Sequence, residues 1–261
     1  LYDGSPSHKG IGTLWNLVER TGITHFGTSP KFLSACANES LVPKENSDLS
    51  HLKSLLSTGS PLVPEQFDWV YDNVSSDIHL ASISGGTDII GCFLAGSPIL
   101  PVYRGEIQCP QLGMDVQSWD EKGKSVIGQS GELVCTKPFP SMPISFWNDS
   151  DGLNYHKAYF DVFPNVWTHG DYLEITENQG AIIYGRSDTT LNPGGVRIGT
   201  AEIYRAVETL SSVEDAVVVG RPNAGDVEIV LCVKLIDDVD LNLDLENKIK
   251  NTIRSITTPR H

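Results

Sequence analysis

Over roughly its first hundred residues the chain alternates helix-like and strand-like segments, and that alternation restricts the fold more than any other feature. Thr13 to Arg20 carries Leu14, Leu17 and Val18 on one helical face. Thr24 to Thr28 is strand-like and leads to a helix that starts at Pro30 and runs through Leu33 and Ala37. Leu52 to Leu56 reads as a strand, Pro64 to Asn73 as an aromatic-rich helix with Phe67, Val70 and Tyr71, and His79 to Ile83 as the next strand. Strands separated by helices predict a parallel sheet covered by helices.

The pattern changes after residue 100. Short β-rich runs (Tyr103–Ile107, Gly131–Thr136, Tyr172–Thr176 and Ala181–Tyr184) are separated by Gly, Asn and Asp turns. Glu177-Asn178-Gln179-Gly180 reads as a hairpin loop. A small β-barrel or curved sheet is expected here, with Trp147 and Trp167 in its core. From Thr189 a separate small α+β unit is expected, with Thr200 as N-cap of a helix carrying Ile203, Ala206, Val207 and Leu210. Strands at Asp215–Gly220 and Val227–Ile236 follow, then a helix with Leu245, Ile249, Ile253 and Ile256 on one face.

The net charge of −14 argues against general nucleic-acid or anionic-membrane binding, because both need a basic face. A local basic pocket stays compatible with it. Cys36, Cys92, Cys109, Cys135 and Cys232 are odd in number and contain no CxxC pair, so free, buried thiols are expected rather than disulfides or a zinc site. His51, His79 and His156 lack partners at metal-ligand spacing. His25 and Phe26 read as core residues that could also border a ligand pocket.

Four short segments carry candidate chemistry. Thr58-Gly59-Ser60-Pro61 and Ser84-Gly85-Gly86-Thr87-Asp88 each follow a strand, as glycine-rich turns at the carboxyl end of a parallel sheet. Thr87 supplies a hydroxyl and Asp88 a hard oxygen suited to Mg²⁺. His169-Gly170-Asp171 on its own also describes an ordinary turn. The fourth, Gly185 to Tyr204 (GRSDTTLNPGGVRIGTAEIY), follows a β-run and enters a helix. Arg186 and Arg197 can each grip phosphate or carboxylate oxygens, and Pro193, Gly194 and Gly195 bring backbone close to a ligand. A surface turn with solvated arginines fits the same residues.

The whole string resembles the hinge motif of the adenylate-forming superfamily, which includes acyl-CoA synthetases, luciferases and peptide-synthetase adenylation domains. With LYDGSP, LLSTGSPL, SISGGTDI, LPVYRGEIQ and GELVCTKPFPSMP it is most similar to the superfamily's acetoacetate–CoA ligase branch, from end to end of the chain. That resemblance implies the partial adenylate-forming fold: an α/β part at 1–100, a β-rich subdomain at 101–187, and the hinge with an incomplete α+β domain at 188–261. It implies ATP, Mg²⁺, coenzyme A and acetoacetate as cofactors and substrates, in a cytosolic enzyme feeding lipid and ketone-body metabolism.

By the same resemblance, Gly59, Ser60 and Pro61 lie by the adenine, and Ser84, Gly85, Gly86 and Thr87 by the nucleotide. Asp88, in place of the usual Glu, holds the metal. Asp171 takes the ribose hydroxyls, Arg186 the nucleotide, Asn192 and Arg197 the phosphates, and Gly195 the pantetheine tunnel. Asp188 is the pivot, and Thr87 and Arg197 have the catalytic parts. Acetyl-CoA synthetases carry tryptophans at the positions of Ser84 and Gly85, so the small residues here imply a deeper acyl pocket.

The superfamily's phosphate loop ending in Pro-Lys and its P-x-T-x-x-G-K segment do not occur between Leu1 and His261. A fragment that is inactive by itself is therefore expected. A ligase for another short acid, or a truncated nucleotide-binding protein without catalysis, are the alternatives.

Overall fold

The computed structural model describes residues 2–187, 200–223 and 226–256. The chain divides into two units: Leu1–His169 with Glu174–Ile183, and Gly170–Leu173 with Tyr184–His261.

The first unit begins with α1 (Thr13–Thr21), β1 (His25–Thr28), α2 (Pro30–Asn38), α3 (Pro43–Asn46), β2 (Ser54–Ser57), α4 (Pro64–Asn73) and β3 (His79–Ser82). The three strands form the expected parallel sheet in the order β1-β2-β3, with Thr28 opposite Ser57 and Ser57 opposite Ser82. Local chemistry sets the helix ends. Gly22 closes α1 at φ 61°, and Ser29 accepts a hydrogen bond from the Phe32 amide while Pro30 opens α2. Trp15, Phe26 and Phe32 pack against Leu33, Leu55 and Leu80 in one core. Trp15 meets Phe26 edge-on at 5.2 Å; such a pair contributes about 0.5–1.5 kcal/mol beyond its burial.

Two further sheets follow. β4 (Ser84–Gly86), β5 (Gly91–Ala95) and β6 (Cys109–Pro110) pair antiparallel in the order β4-β5-β6. β7 (Val116–Trp119) and β8 (Ser130–Cys135) precede the short helix α5 (Leu153–Tyr159). β9 (Trp167–Ile175) and β10 (Ala181–Arg186) complete a four-stranded sheet in the order β10-β9-β8-β7.

In the second unit, α6 (Thr200–Glu208), β11 (Val213–Asn223), β12 (Asp226–Leu235) and α7 (Leu243–Ile256) follow one another. β11 and β12 form an antiparallel hairpin with Val217 opposite Cys232. Ile203, Ala206 and Val207 of α6, with Leu210 just past its end, share a core with Ile249 and Ile253 of α7, the faces that the apolar spacing marks.

Several expectations need correction. Tyr103–Ile107 forms no strand: Gly105 takes φ 82°, Glu106 N–H closes a turn on Tyr103 O, and only Ile107 bridges to Ala181. Ser84–Gly86 are strand rather than turn, and the chain reverses one residue later. Trp147 is 93 % exposed whereas Trp167 is buried. His25 is exposed and bonded to the neighbouring Thr24 hydroxyl, so only Phe26 of that pair is core. Thr200 lies inside α6 rather than ahead of it. The cysteines are free, but Cys232 is exposed.

Candidate functional site

The first unit gathers candidate residues at the carboxyl edge of the parallel sheet. Pairing runs slightly past the strands, because the Thr58 amide donates to Thr28 O and the Ile83 amide to Ser57 O. The chain then leaves the sheet through Gly59, Ser60 and Pro61 after β2, and through β4 after β3. Gly59 adopts φ 99°, a conformation that suits glycine, and among the described residues no atom beyond its chain neighbours lies within 4 Å of where its Cβ would stand. Among the described residues, Gly59 therefore borders open space, beside exposed Ser60, at the edge where parallel sheets bind ligands.

Ser84, Gly85 and Gly86 pair with β5, and the turn from Thr87 to Ile90 closes by an Ile90 N–H to Thr87 O bond of 3.3 Å. Thr87 and Asp88 are exposed on it. Gly85 has no room for a side chain: a Cβ there falls 2.6 Å from the Cys92 Cα, and closer still to the Gly91 carbonyl oxygen. Glycine at this position thus lets the two strands meet. That geometry supplies a backbone reason for Gly85, where the sequence reading supplies an enlarged acyl pocket.

Gly86 has a different neighbour. A Cβ on it would collide with Asp88 Oδ1 and stand 2.9 Å from His169 Cε1. The Asp88 carboxylate therefore folds back over a glycine. Its other oxygen, Oδ2, accepts a hydrogen bond of 2.6 Å from the Tyr159 hydroxyl. Tyr159 stacks on Trp167 with ring centroids 3.7 Å apart and planes 13° apart. His169 is buried edge-on to Phe93 at 4.6 Å.

Among the described residues, no group of three or more His, Cys, Asp and Glu could cage a metal. A single exposed carboxylate nonetheless suits Mg²⁺, which takes one or two carboxylate oxygens and completes its shell with phosphates and water.

Within the second unit itself, Gly170, Asp171 and Arg186 lie together. Arg186 Nη1 lies 3.4 Å from Asp171 Oδ1. Asp171 is buried and the Arg186 side chain is about half exposed. Gly170 has φ 80°, and a Cβ there would stand 2.6 Å from Arg186 Nη2. His169–Asp171 thus lie within β9 rather than in a turn, and glycine serves both the positive φ inside that strand and the passage of the guanidinium. Asp188, Asn192, Gly195 and Arg197 lie outside the described residues.

Comparison with known proteins places this geometry in a family. The profile described as AMP-binding enzyme matches residues 1–142, more than half the chain. The chain belongs to the AMP-binding enzyme family. It is 52 % identical over 261 residues to acetoacetyl-coenzyme A synthetase of Rhizobium meliloti (strain 1021), covering all of this chain and 40 % of that protein. It is 49 % identical over 263 residues to acetoacetyl-CoA synthetase of Mus musculus, covering 39 % of that protein. The solved acetoacetyl-CoA synthetase of Streptomyces lividans superposes with a TM-score of 0.91 at 45 % identity, over all of this chain and 40 % of the other. An anthranilate CoA ligase in complex with anthranoyl-AMP shares the fold, with a TM-score of 0.78 at 18 % identity. The chain thus spans about 40 % of the length of these curated relatives.

Sequence reading of this AMP-binding enzyme missed α5 and with it Tyr159. No residue of α5 is buried, so the helix has no apolar stripe for periodicity to detect. Tyr155 and Tyr159 stand four apart, the spacing that puts two rings on one helix face, and this is the signal that could have found it. Asp149 starts the helix: its carboxylate accepts from the amides of Asn154 and Tyr155. Those bonds, the Tyr155 amide first, hold the Asp149 carboxyl below the usual carboxylate range.

Proposed function

We propose that the protein carrying this chain is an acetoacetate–CoA ligase. Acetoacetate attacks the α-phosphorus of ATP, the bond to pyrophosphate breaks, and acetoacetyl-adenylate forms. The coenzyme A thiol, giving up its proton, then attacks the acyl carbon, and AMP leaves as acetoacetyl-CoA forms. The observation that carries this reading is the 52 % identity to a named acetoacetyl-coenzyme A synthetase across the full 261 residues.

In this reading each unit carries its own roles. Gly59, Ser60 and Pro61 border the adenine, consistent with the open space at Gly59. Ser84, Gly85 and Gly86 lead to Thr87, whose exposed hydroxyl donates to phosphate, and Asp88 takes the metal. Mg²⁺ held there with the nucleotide would offset charge on the transferring phosphate. Asp171 accepts from the ribose hydroxyls, as an ionised carboxylate can, and its pairing with Arg186 keeps the guanidinium beside it. Asn192 and Arg197 attend the phosphates, Gly195 the pantetheine arm, and Asp188 turns the smaller domain between the half-reactions.

The site of action in this reading is the cytosol, where the product serves lipid and ketone-body metabolism. Among the described residues, no helix is long and apolar enough to cross a membrane.

The test is ATP–pyrophosphate exchange by the full-length protein, with acetate and butyrate beside acetoacetate. Exchange that prefers acetoacetate is expected. Preference for another short acid would reassign the substrate. Folded protein that binds ATP but exchanges with no acid would overturn the ligase reading.

A further inference from the structure

Asp88 is held more tightly than an exposed turn residue would need for itself. The Tyr159 hydroxyl donates to Oδ2 over 2.6 Å, the short distance of a charge-assisted bond. The Tyr159 ring is itself clamped. It stacks on buried Trp167 and meets the edges of Tyr155 at 5.5 Å and Phe146 at 5.7 Å. On the other side, Oδ1 lies over Gly86, in the space a Cβ would fill. One carboxylate oxygen is thus bound to the protein, while the other lies over the glycine.

We propose that Tyr159 is a positioning residue that makes Asp88 a one-oxygen ligand, presenting Oδ1 to a divalent cation and favouring Mg²⁺ over Ca²⁺. This rests on the reading of Asp88 as the metal residue. Ca²⁺ accepts six to eight oxygens and readily takes both oxygens of one carboxylate, whereas Mg²⁺ keeps a strict octahedron. A carboxylate whose second oxygen already accepts an O–H bond is a poor chelate and an adequate single ligand. Groups that orient a metal ligand in this way typically change affinity about 10–100-fold when removed.

The experiment uses the full-length protein with a non-hydrolysable ATP analogue. Mn²⁺ binding is read by the paramagnetic resonance signal of the free ion, with Mg²⁺ and Ca²⁺ as competitors. Asp88→Asn is expected to weaken Mn²⁺ at least about tenfold. Tyr159→Phe keeps the stacked ring and is expected to shift the Ca²⁺-to-Mg²⁺ competition ratio about tenfold toward Ca²⁺. Trp167→Phe loosens the platform while leaving both bonded partners, and is expected to shift the ratio the same way by less. An unchanged ratio in folded Tyr159→Phe, where Asp88→Asn does weaken Mn²⁺, overturns the role of Tyr159 alone. Unchanged Mn²⁺ affinity in Asp88→Asn overturns that role together with the metal reading of Asp88.

Discussion

Arg186 reaches Asp171 across Gly170: Nη1 stands 3.4 Å from Oδ1, and the guanidinium occupies the space that any larger residue at 170 would claim. Gly170→Ala is therefore expected to be costly twice over. The left-handed backbone at φ 80° costs a non-glycine residue roughly 1–2 kcal/mol, and the methyl group displaces Arg186. Urea unfolding should show the first effect. Weakened ATP binding, comparable to that of Arg186→Ala, should show the second. ATP affinity unchanged in both variants would remove the pair from the nucleotide site.

Gly85 and Gly86 are expected to respond differently to the same substitution. Gly85→Ala forces a methyl group against the backbone of Gly91 and Cys92. Overpacking of that kind costs about 1–3 kcal/mol. Gly85→Trp should accordingly lose stability rather than acquire a preference for acetate. At Gly86 the first obstacle is the movable Asp88 side chain, so Gly86→Ala should melt closer to the parent while binding Mn²⁺ more weakly. Thermal midpoints and Mn²⁺ titrations of the two variants, side by side, check this ordering.

Asp149 sets an acid limit on α5. Its carboxyl is held below its ordinary range chiefly by the Tyr155 amide, then by Asn154. A folded-state pKa depressed in this way contributes stability that is fully present above the unfolded value, about 3.9, and is lost as pH falls through the folded value. Trp167 fluorescence, which senses the stacked Tyr159, should therefore change below about pH 4. Asp149→Asn should flatten that acid limb. An identical limb in the variant would assign the transition to other carboxylates.

The thiols should separate by reactivity. Burial pushes Cys36 up to about 11, despite the hydrogen bond that Trp15 Nε1 donates to its sulfur at 3.4 Å. Cys232 is exposed on β12. Because only the thiolate reacts, Cys36 at pH 8 is about a thousandfold depleted in the reactive form. Iodoacetamide should mark Cys232 in the native protein and Cys36 only after unfolding, as read by mass spectrometry of peptides. Early labelling of Cys36 would mean that its pocket opens readily.

The amino acids alone determined the parallel βα pattern of the first hundred residues and the helical faces of α6 and α7. Both depend on spacing within a few turns of chain, and burial of an apolar face enforces that spacing. They also pointed to Gly59–Pro61 and Ser84–Asp88, because glycine beside a polar group after a strand is a local signature, whereas His169–Asp171 stood out only through the family resemblance. Tertiary structure alone decided which polar atoms meet. Tyr159 and Asp88 stand 71 residues apart, and nothing in either local pattern names the other. Two tryptophans of similar sequence setting took opposite fates, Trp167 as the buried platform and Trp147 in solvent, because burial depends on what the rest of the chain packs against a residue. Gly85 likewise reads as a gap in a pocket until β5 is placed beside it. The physical reason is the same in each case. A local sequence window encodes backbone periodicity, whereas contacts between distant segments are selected by close packing and hydrogen-bond satisfaction once the sheets have formed.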